Sequence, residues 1–100
     1  MPQEYLLRLY VTGHTARSAR ALTNLKMICE EELEGRYRIE VIDVLEQPER
    51  SERDRIVATP TLIRELPPPI RRIIGDLSDR DEVLHGLELI APTSGSETSH

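Results

Sequence analysis

The order of the apolar patterns in the first half of the chain constrains its fold most. Residues 5–11 are apolar or aromatic at almost every position, which is typical of a strand buried on both faces. Residues 18–34 change to the three- and four-residue spacing of an amphipathic helix, and residues 37–44 return to the alternation of a strand. The helical stripe is carried by Leu22, Leu25, Cys29 and Leu33. These patterns predict a β-α-β unit with two parallel strands and a right-handed crossover.

The second half of the chain is ambiguous in its local pattern. Residues 48–55 open with a proline and are then polar on every side, which predicts a short, weak helix or a loop. Residues 56–65 fit either a helix or a loop followed by a strand, and residues 70–74 favour a strand. Ser78 is a fair cap for a final helix that ends before Pro92. Taken in order, the elements predict an α/β, thioredoxin-like arrangement, β-α-β-(α)-β-β-α.

The length and composition fit one small domain. One hundred residues leave no room for a second core, and a chain without Phe or Trp must build its core from Leu, Ile and Val. We expect residues 5–91 to form this domain and residues 92–100, which show no periodicity, to form a disordered polar tail. Because no apolar run approaches the about 20 residues that span a bilayer and the start lacks a signal-peptide pattern, we expect a cytoplasmic protein without membrane contact.

Charge and cysteine content argue against several classes of function. A net charge of -5 and only 3% aromatic residues argue against nucleic-acid binding. Cys29 is the single cysteine, so an internal disulfide and a thiolate metal cage are excluded, and its position on the helical stripe predicts a buried thiol. The three histidines show no ligand spacing, so no metal or other cofactor is expected.

Redox chemistry on a thioredoxin-like fold requires a thiolate at the amino end of the first helix. The turn at residues 12–17 contains no cysteine, although it supplies a helix cap. We therefore expect the fold without an enzymatic reaction. Asp43, an acid within an apolar strand, is predicted to pair with an arginine.

The prolines of the second half resist a purely local explanation. Pro67, Pro68 and Pro69 are consecutive, and Pro60 stands where a thioredoxin-like fold has a cis-proline at the start of its third strand. One interpretation is a rigid hairpin turn. The other is a slow switch, since X-Pro bonds isomerise slowly and the flanking segments are compatible with two packings.

Several motifs resemble the family of the circadian clock protein KaiB. The resemblance covers about residues 5–90. Its motifs are Leu-Arg-Leu-Tyr-Val-Thr-Gly at 7–13, Ser-Ala-Arg-Ala-Leu at 18–22, Val-Ile-Asp-Val-Leu at 41–45, Ala-Thr-Pro-Thr-Leu at 58–62 and Leu-Pro-Pro-Pro-Ile-Arg-Arg-Ile-Ile-Gly-Asp-Leu-Ser at 66–78. It implies a non-enzymatic partner of the KaiC ATPase/kinase ring. It also implies two folds: a resting, usually tetrameric one, β-α-β-β-α-α-β, and a rare thioredoxin-like monomer that alone binds KaiC.

The resemblance also assigns roles to individual positions. A role in fold switching is implied by position for Tyr5, Gly86, Glu88 and Ala91, and the slow-switch interpretation above adds Pro60, Pro67, Pro68 and Pro69. Contact with KaiC is implied for Arg8, Arg20, Arg71 and Arg72. Glu40 departs from a Lys common in cyanobacterial relatives, which weakens the expectation of a KaiA-like partner. Self-association as a tetramer or dimer is implied for the resting form.

Two other functions stay open from the sequence. The first is a thioredoxin-like sensor or adaptor of the clock histidine-kinase type, which would bind without a fold switch. The second is a thiol-dependent oxidoreductase, which would need a reactive Cys29.

Overall fold

The computed structural model describes residues 4–89, and these form a four-stranded sheet with helices on both of its faces. The elements are β1 (Tyr5–Val11), α1 (Ala16–Glu32), β2 (Tyr37–Asp43), α2 (Pro48–Arg53), β3 (Thr61–Leu66), β4 (Arg71–Ile74) and α3 (Arg80–Gly86). This order is the predicted thioredoxin-like arrangement, and the weak polar helix of the second half is formed. Ala91 and the tail at residues 92–100 lie outside the described residues.

The strands lie in the order β2-β1-β3-β4. β1 and β2 are parallel, with Leu9 opposite Val41, which confirms the β-α-β unit predicted from the first half. β3 is antiparallel to β1, and β4 is antiparallel to β3. β1 therefore occupies an inner position, where both faces of the strand are covered, as its continuous apolar run requires.

Two clusters of apolar side chains cover the two faces of the sheet. The larger cluster joins the inward side chains of the strands to α1 and α3, and the smaller one consists of Tyr10, Ile42 and Ile63 with Val44 and Ile56 packed against it. α2 lies on the side of the smaller cluster, and none of its residues is buried. Apolar burial therefore contributes little to the position of α2, which depends on the polar contacts described below.

The observed helix cap is the predicted one in the first half of the chain but a different residue in the second half. The Thr15 hydroxyl accepts a hydrogen bond from the Ser18 amide at 3.1 Å, so α1 begins at Ala16. The prediction of Ser78 as the cap of the last helix was wrong: the Asp79 carboxylate accepts from the Glu82 amide at 3.1 Å. The reason is local, because α3 begins at Arg80, so Asp79 and not Ser78 directly precedes the helix and reaches the free amides of its first turn.

Two further details of the sequence analysis are settled by tertiary contacts. The helical alternative for residues 56–65 was wrong for this arrangement, since Thr61–Leu66 pairs with both β1 and β4. Asp43 was predicted to pair with an arginine, but its Oδ1 atom instead accepts from the amides of Gly13 and Leu45 at 3.1 and 2.9 Å. The carboxylate lies at the end of β2, where turn amides are closer than any guanidinium. The Thr59–Pro60, Leu66–Pro67 and Pro68–Pro69 bonds are cis.

Candidate functional site

The face of the sheet beneath α2 carries a network of ion pairs centred on Arg8. The Arg8 guanidinium donates to Glu40 at 3.1 Å and to Glu65 at 2.9 Å, and lies 3.5 Å from the Asp54 carboxylate. Arg50 of α2 donates to Glu40 at 2.8 Å from the other side. Two guanidinium groups thus face three carboxylates, and they connect β1, β2, β3 and the end of α2.

The electrostatics of this network follow from its partial burial. The hydrogen bond from Arg50 lowers the pKa of Glu40, and that from Arg8 adds to the effect. Burial, followed by the hydrogen bond that the Tyr10 hydroxyl donates to Asp54, raises the pKa of Tyr10 to about 12. Because the Arg8 side chain is only 16% exposed and has several carboxylate partners, its geometry is that of a residue which holds the fold together.

The other three arginines singled out by the sequence lie at the surface and are spread over the molecule. Arg20 of α1 is 53% exposed and approaches Asp76 at 3.7 Å. Arg71 donates to Glu88 at 3.1 and 3.2 Å. Arg72, on the opposite face of β4, donates at 2.7 Å to the carbonyl of Asp54 and at 3.3 Å to that of Arg55. The structure therefore places Arg71 and Arg72 in one edge strand and Arg20 on a helix, with Arg8 in the interior network.

Most of the positions implied to bias the fold lie around the end of β3 and the end of α3, whereas Pro60 lies at the opposite end of β3. Tyr5 begins β1, where it packs against the larger apolar cluster. Gly86 ends α3 so close to β4 that an added Cβ would lie 3.3 Å from the Ile73 Cδ1 atom. Glu88 follows with a φ of +55°. Pro60 is buried at the start of β3, whereas Pro67, Pro68 and Pro69 form the turn between β3 and β4.

Sequence reasoning missed Arg64, whose side chain joins the turn between β3 and β4 to Glu88. Arg64 is 4% exposed and donates at 2.6 Å to the carbonyl of Pro69 and at 3.4 Å to that of Glu88. The available signal was its spacing, because Arg64 is two residues after buried Leu62 and therefore points to the same face of β3. We refer to Arg64, Pro69, Arg71 and Glu88 as the Arg64 junction.

A cavity of about 370 Å³ lies at the amino end of α1, where a thioredoxin-like fold would carry out thiol chemistry. Its lining includes Gly13, His14, Ser18 and Asp43 but no cysteine. Cys29 is fully buried further along α1, and burial raises the pKa of its thiol to about 12. A thiol with this pKa is not a nucleophile at neutral pH, so the geometry gives no support to an oxidoreductase.

The described residues show neither a membrane helix nor a metal centre. Over residues 4–89, no helix has the length and apolar character needed to cross a bilayer. In the same range, no three His, Cys, Asp or Glu side chains are grouped so that they could hold a metal ion.

The sequence pattern of the KaiB domain matches residues 8–89, which include every strand and helix except the first residues of β1. The chain belongs to the KaiB family. It is 60% identical over 86 residues to the circadian clock oscillator protein KaiB of Prochlorococcus marinus subsp. pastoris, covering 86% of this chain and 80% of that relative. The family is thus one of circadian clock proteins.

Solved structures place this KaiB chain among thioredoxin-like folds. The N-terminal domain of SasA from Synechococcus elongatus is similar with a TM-score of 0.72 and 28% identity, covering 88% of this chain and 87% of that domain. Mitochondrial thioredoxin 3 from Saccharomyces cerevisiae has a TM-score of 0.68 with 16% identity, covering 86% and 78% of the two chains. At that identity, the likeness to thioredoxin concerns the fold alone.

Proposed function

We propose that this chain is a non-enzymatic circadian clock protein that binds a KaiC-type ATPase/kinase ring and modulates the ring's phosphorylation cycle. The observation that carries the proposal is the KaiB domain at residues 8–89 in a thioredoxin-like arrangement. The buried thiol and the lack of a cysteine at the amino end of α1 support a role in binding rather than in catalysis.

The proposed contact with the ring is made by the exposed arginines, chiefly Arg20, Arg71 and Arg72. Arginine favours bidentate pairing with carboxylates and is enriched at protein interfaces. Among residues 4–89, the one contact of the Arg20 guanidinium is a long one to Asp76, so the guanidinium is available to a partner. Arg8 belongs to the proposed set for a different reason, because it joins β1, β2 and β3 of the sheet with which β4 and its two arginines pair.

We further propose that the described arrangement is the binding-competent one of two folds, and that the other is a resting tetramer or dimer. The physical support is the division of the chain into a first half with a strong local pattern and a second half that is compatible with more than one pattern. On this proposal residues 5–91 are the domain that acts in the cytoplasm. A KaiA-like protein is a weaker candidate partner, because Glu40 is occupied by two arginines.

A second candidate function is a thioredoxin-like adaptor that binds without changing its fold. The similarity to the SasA N-terminal domain favours it. The two proposals differ in the free protein: a fold-switching chain gives two sets of backbone NMR signals or exchanges between oligomer and monomer, whereas an adaptor gives one set from one species.

Size-exclusion chromatography with a nucleotide-loaded KaiC-type ring tests the proposed partner. We expect the chain to co-elute with the ring, and Arg20→Ala to weaken the binding by about tenfold because a charged interface contact contributes about 1.5 kcal/mol. Arg38→Ala is the matched control, since Arg38 is an exposed arginine of β2. Elution of the chain at its own volume across micromolar ring concentrations contradicts the proposal, and equal losses in both variants contradict the role of Arg20.

A further inference from the structure

Arg64 is the one basic side chain among residues 4–89 that is buried, and its guanidinium contacts two segments far apart in sequence. Its Nη2 atom donates to the Pro69 carbonyl at 2.6 Å, in the turn between β3 and β4. Its Nη1 atom donates to the Glu88 carbonyl at 3.4 Å, just after α3. Three segments, β3, the proline turn and the end of α3, therefore meet at a single side chain.

The charge of Arg64 is poorly compensated where it lies. An arginine stays protonated in a protein, so burial cannot be relieved by loss of the proton. Its hydrogen-bond acceptors are two neutral carbonyls, while the nearest carboxylate oxygen, Glu88 Oε1, is 3.9 Å from Nη2. The Nε atom has no acceptor among the described residues. A buried charge with so few acceptors loses much of its compensation when one of them leaves.

Glu88 is held from two sides at this point. Its carbonyl accepts from Arg64, and its carboxylate accepts from the Arg71 Nε and Nη2 atoms of β4 at 3.2 and 3.1 Å. The Glu88 backbone is in the left-handed region at a φ of +55°, which a non-glycine residue adopts at a cost. The contacts of the junction keep Glu88 in this conformation.

We propose that Arg64 is a clamp that couples the proline turn to the end of α3, so that the two segments open together. If α3 withdraws, Arg64 keeps only the Pro69 carbonyl, and if the turn rearranges it keeps only the longer bond to Glu88. Either change leaves a buried guanidinium short of acceptors and destabilises the other segment. Arg64 is a positioning residue here: it also sets the place of β4, which connects the two segments and carries Arg71 and Arg72.

The clamp is a property of the free chain and does not depend on a partner. Where the proposed function also holds, a clamp of this kind makes residues 64–89 rearrange as a unit, because both ends of the segment are released by one event. The test below uses the free chain, so its failure is distinguishable from a failure to bind the ring.

Native-state amide hydrogen exchange followed by NMR tests the clamp. In Arg64→Met, which keeps an apolar stem of similar length, we expect exchange at residues 70–74 and 80–89 to quicken by the same factor, tenfold or more, with α1 unchanged. The exchange rates of Arg64→Lys should lie between those of the parent chain and Arg64→Met, because the lysine ammonium cannot reach both carbonyls as the guanidinium does. Arg38→Met, an exposed arginine of β2, is the control and should change neither segment.

A coupling measurement separates a clamp from a residue that merely supports its own surroundings. Val83→Ala loosens α3 by removing buried methyl groups away from the junction. In the parent chain Val83→Ala should quicken exchange at residues 70–74 as well as in α3, whereas in an Arg64→Met background, which lacks the donor, its effect should be confined to α3. The proposal is overturned if Val83→Ala quickens exchange at residues 70–74 equally in both backgrounds. It is also overturned if Arg64→Met and Arg64→Lys quicken exchange at residues 70–74 or at 80–89 but not at both.

Discussion

Arg8 and Tyr10 are two residues apart on β1, and both point to the face that α2 covers. Neither side chain is satisfied by its own strand, so each reaches the carboxylate of Asp54 at the end of α2. Burying a charged group costs free energy because the group loses its bound water. Such a group stabilises the fold only when several partners together offset that cost. The network is thus a residue-level device that fixes α2, an element without buried side chains.

Tyr10 provides a pH-dependent test of that device. Its pKa is raised from 10 to about 12, so its contribution to the free energy of unfolding is complete below pH 10 and is lost as the pH rises towards 12. In this window the parent chain should lose stability with a slope up to about 1.4 kcal/mol per pH unit steeper than Tyr10→Phe. Denaturant unfolding at several pH values measures both slopes.

Tyr37→Phe is the matched control for Tyr10→Phe, because the Tyr37 hydroxyl donates to Glu30 at the surface. Between pH 10 and 12, Tyr37→Phe should lose nearly as much unfolding free energy as the parent chain does. If Tyr10→Phe loses stability between pH 10 and 12 as steeply as the parent chain does, the Tyr10 hydroxyl is not the group responsible.

At the scale of elements, the packing of α3 on β4 depends on a residue without a side chain. Gly86 ends α3, and an added Cβ would lie 3.3 Å from the terminal methyl of half-buried Ile73. A glycine in a helix costs roughly 0.5–1 kcal/mol relative to alanine. The same glycine allows close approach, so helix propensity and packing act in opposite directions here.

We expect Gly86→Ala to stabilise α3 by about 0.5 kcal/mol, because the Ile73 methyl can move by a few tenths of an ångström while the propensity gain is retained. Slower amide exchange over residues 80–89 is the measurement. In an Ile73→Val background, which lacks that methyl, the gain should be larger. Gly75→Ala is the opposing control, because Gly75 has a φ of +136° and alanine is strained there. A loss of protection in Gly86→Ala would show that the contact outweighs propensity.

At the scale of the whole molecule, the two halves differ in how strongly local sequence specifies them. The β-α-β half combines a buried strand, a capped amphipathic helix and a second strand that all predict the same arrangement. The second half is specified by contacts between distant residues, among them the Arg8 network and the Arg64 junction. If it has a second packing within a few kcal/mol, only a fraction of the free chain is ready to bind.

That difference predicts the kinetics of binding to a KaiC-type ring. With ring in excess, the observed rate should reach a plateau as ring concentration rises, because the conformational step limits it. Stopped-flow mixing with a fluorescently labelled ring measures this rate. Complete binding within milliseconds, with a rate that keeps increasing in proportion to ring concentration, would show that the free chain is already competent.

Local pattern was enough for the first half and for β4 and α3 in the second, but not for β3 or for the details of the site. Residues 70–74 and the final helix followed from apolar spacing, and the buried thiol of Cys29 followed from its place on the α1 stripe. Arg64 did not follow, because an arginine next to a glutamate predicts an exposed position unless its partners are known. The partners are carbonyls, which every residue carries and no sequence pattern marks.

The sequence by itself determined that this chain is an α/β domain of the KaiB family with a parallel β-α-β half and a single cysteine on the apolar stripe of α1. These properties depend on side-chain periodicity and on residue type, which can be read along a single segment. Only the tertiary structure decided that residues 61–66 are a strand and that Arg8 and Arg64 are interior. Each of those outcomes depends on a hydrogen bond or ion pair whose two members become neighbours only when the chain has folded.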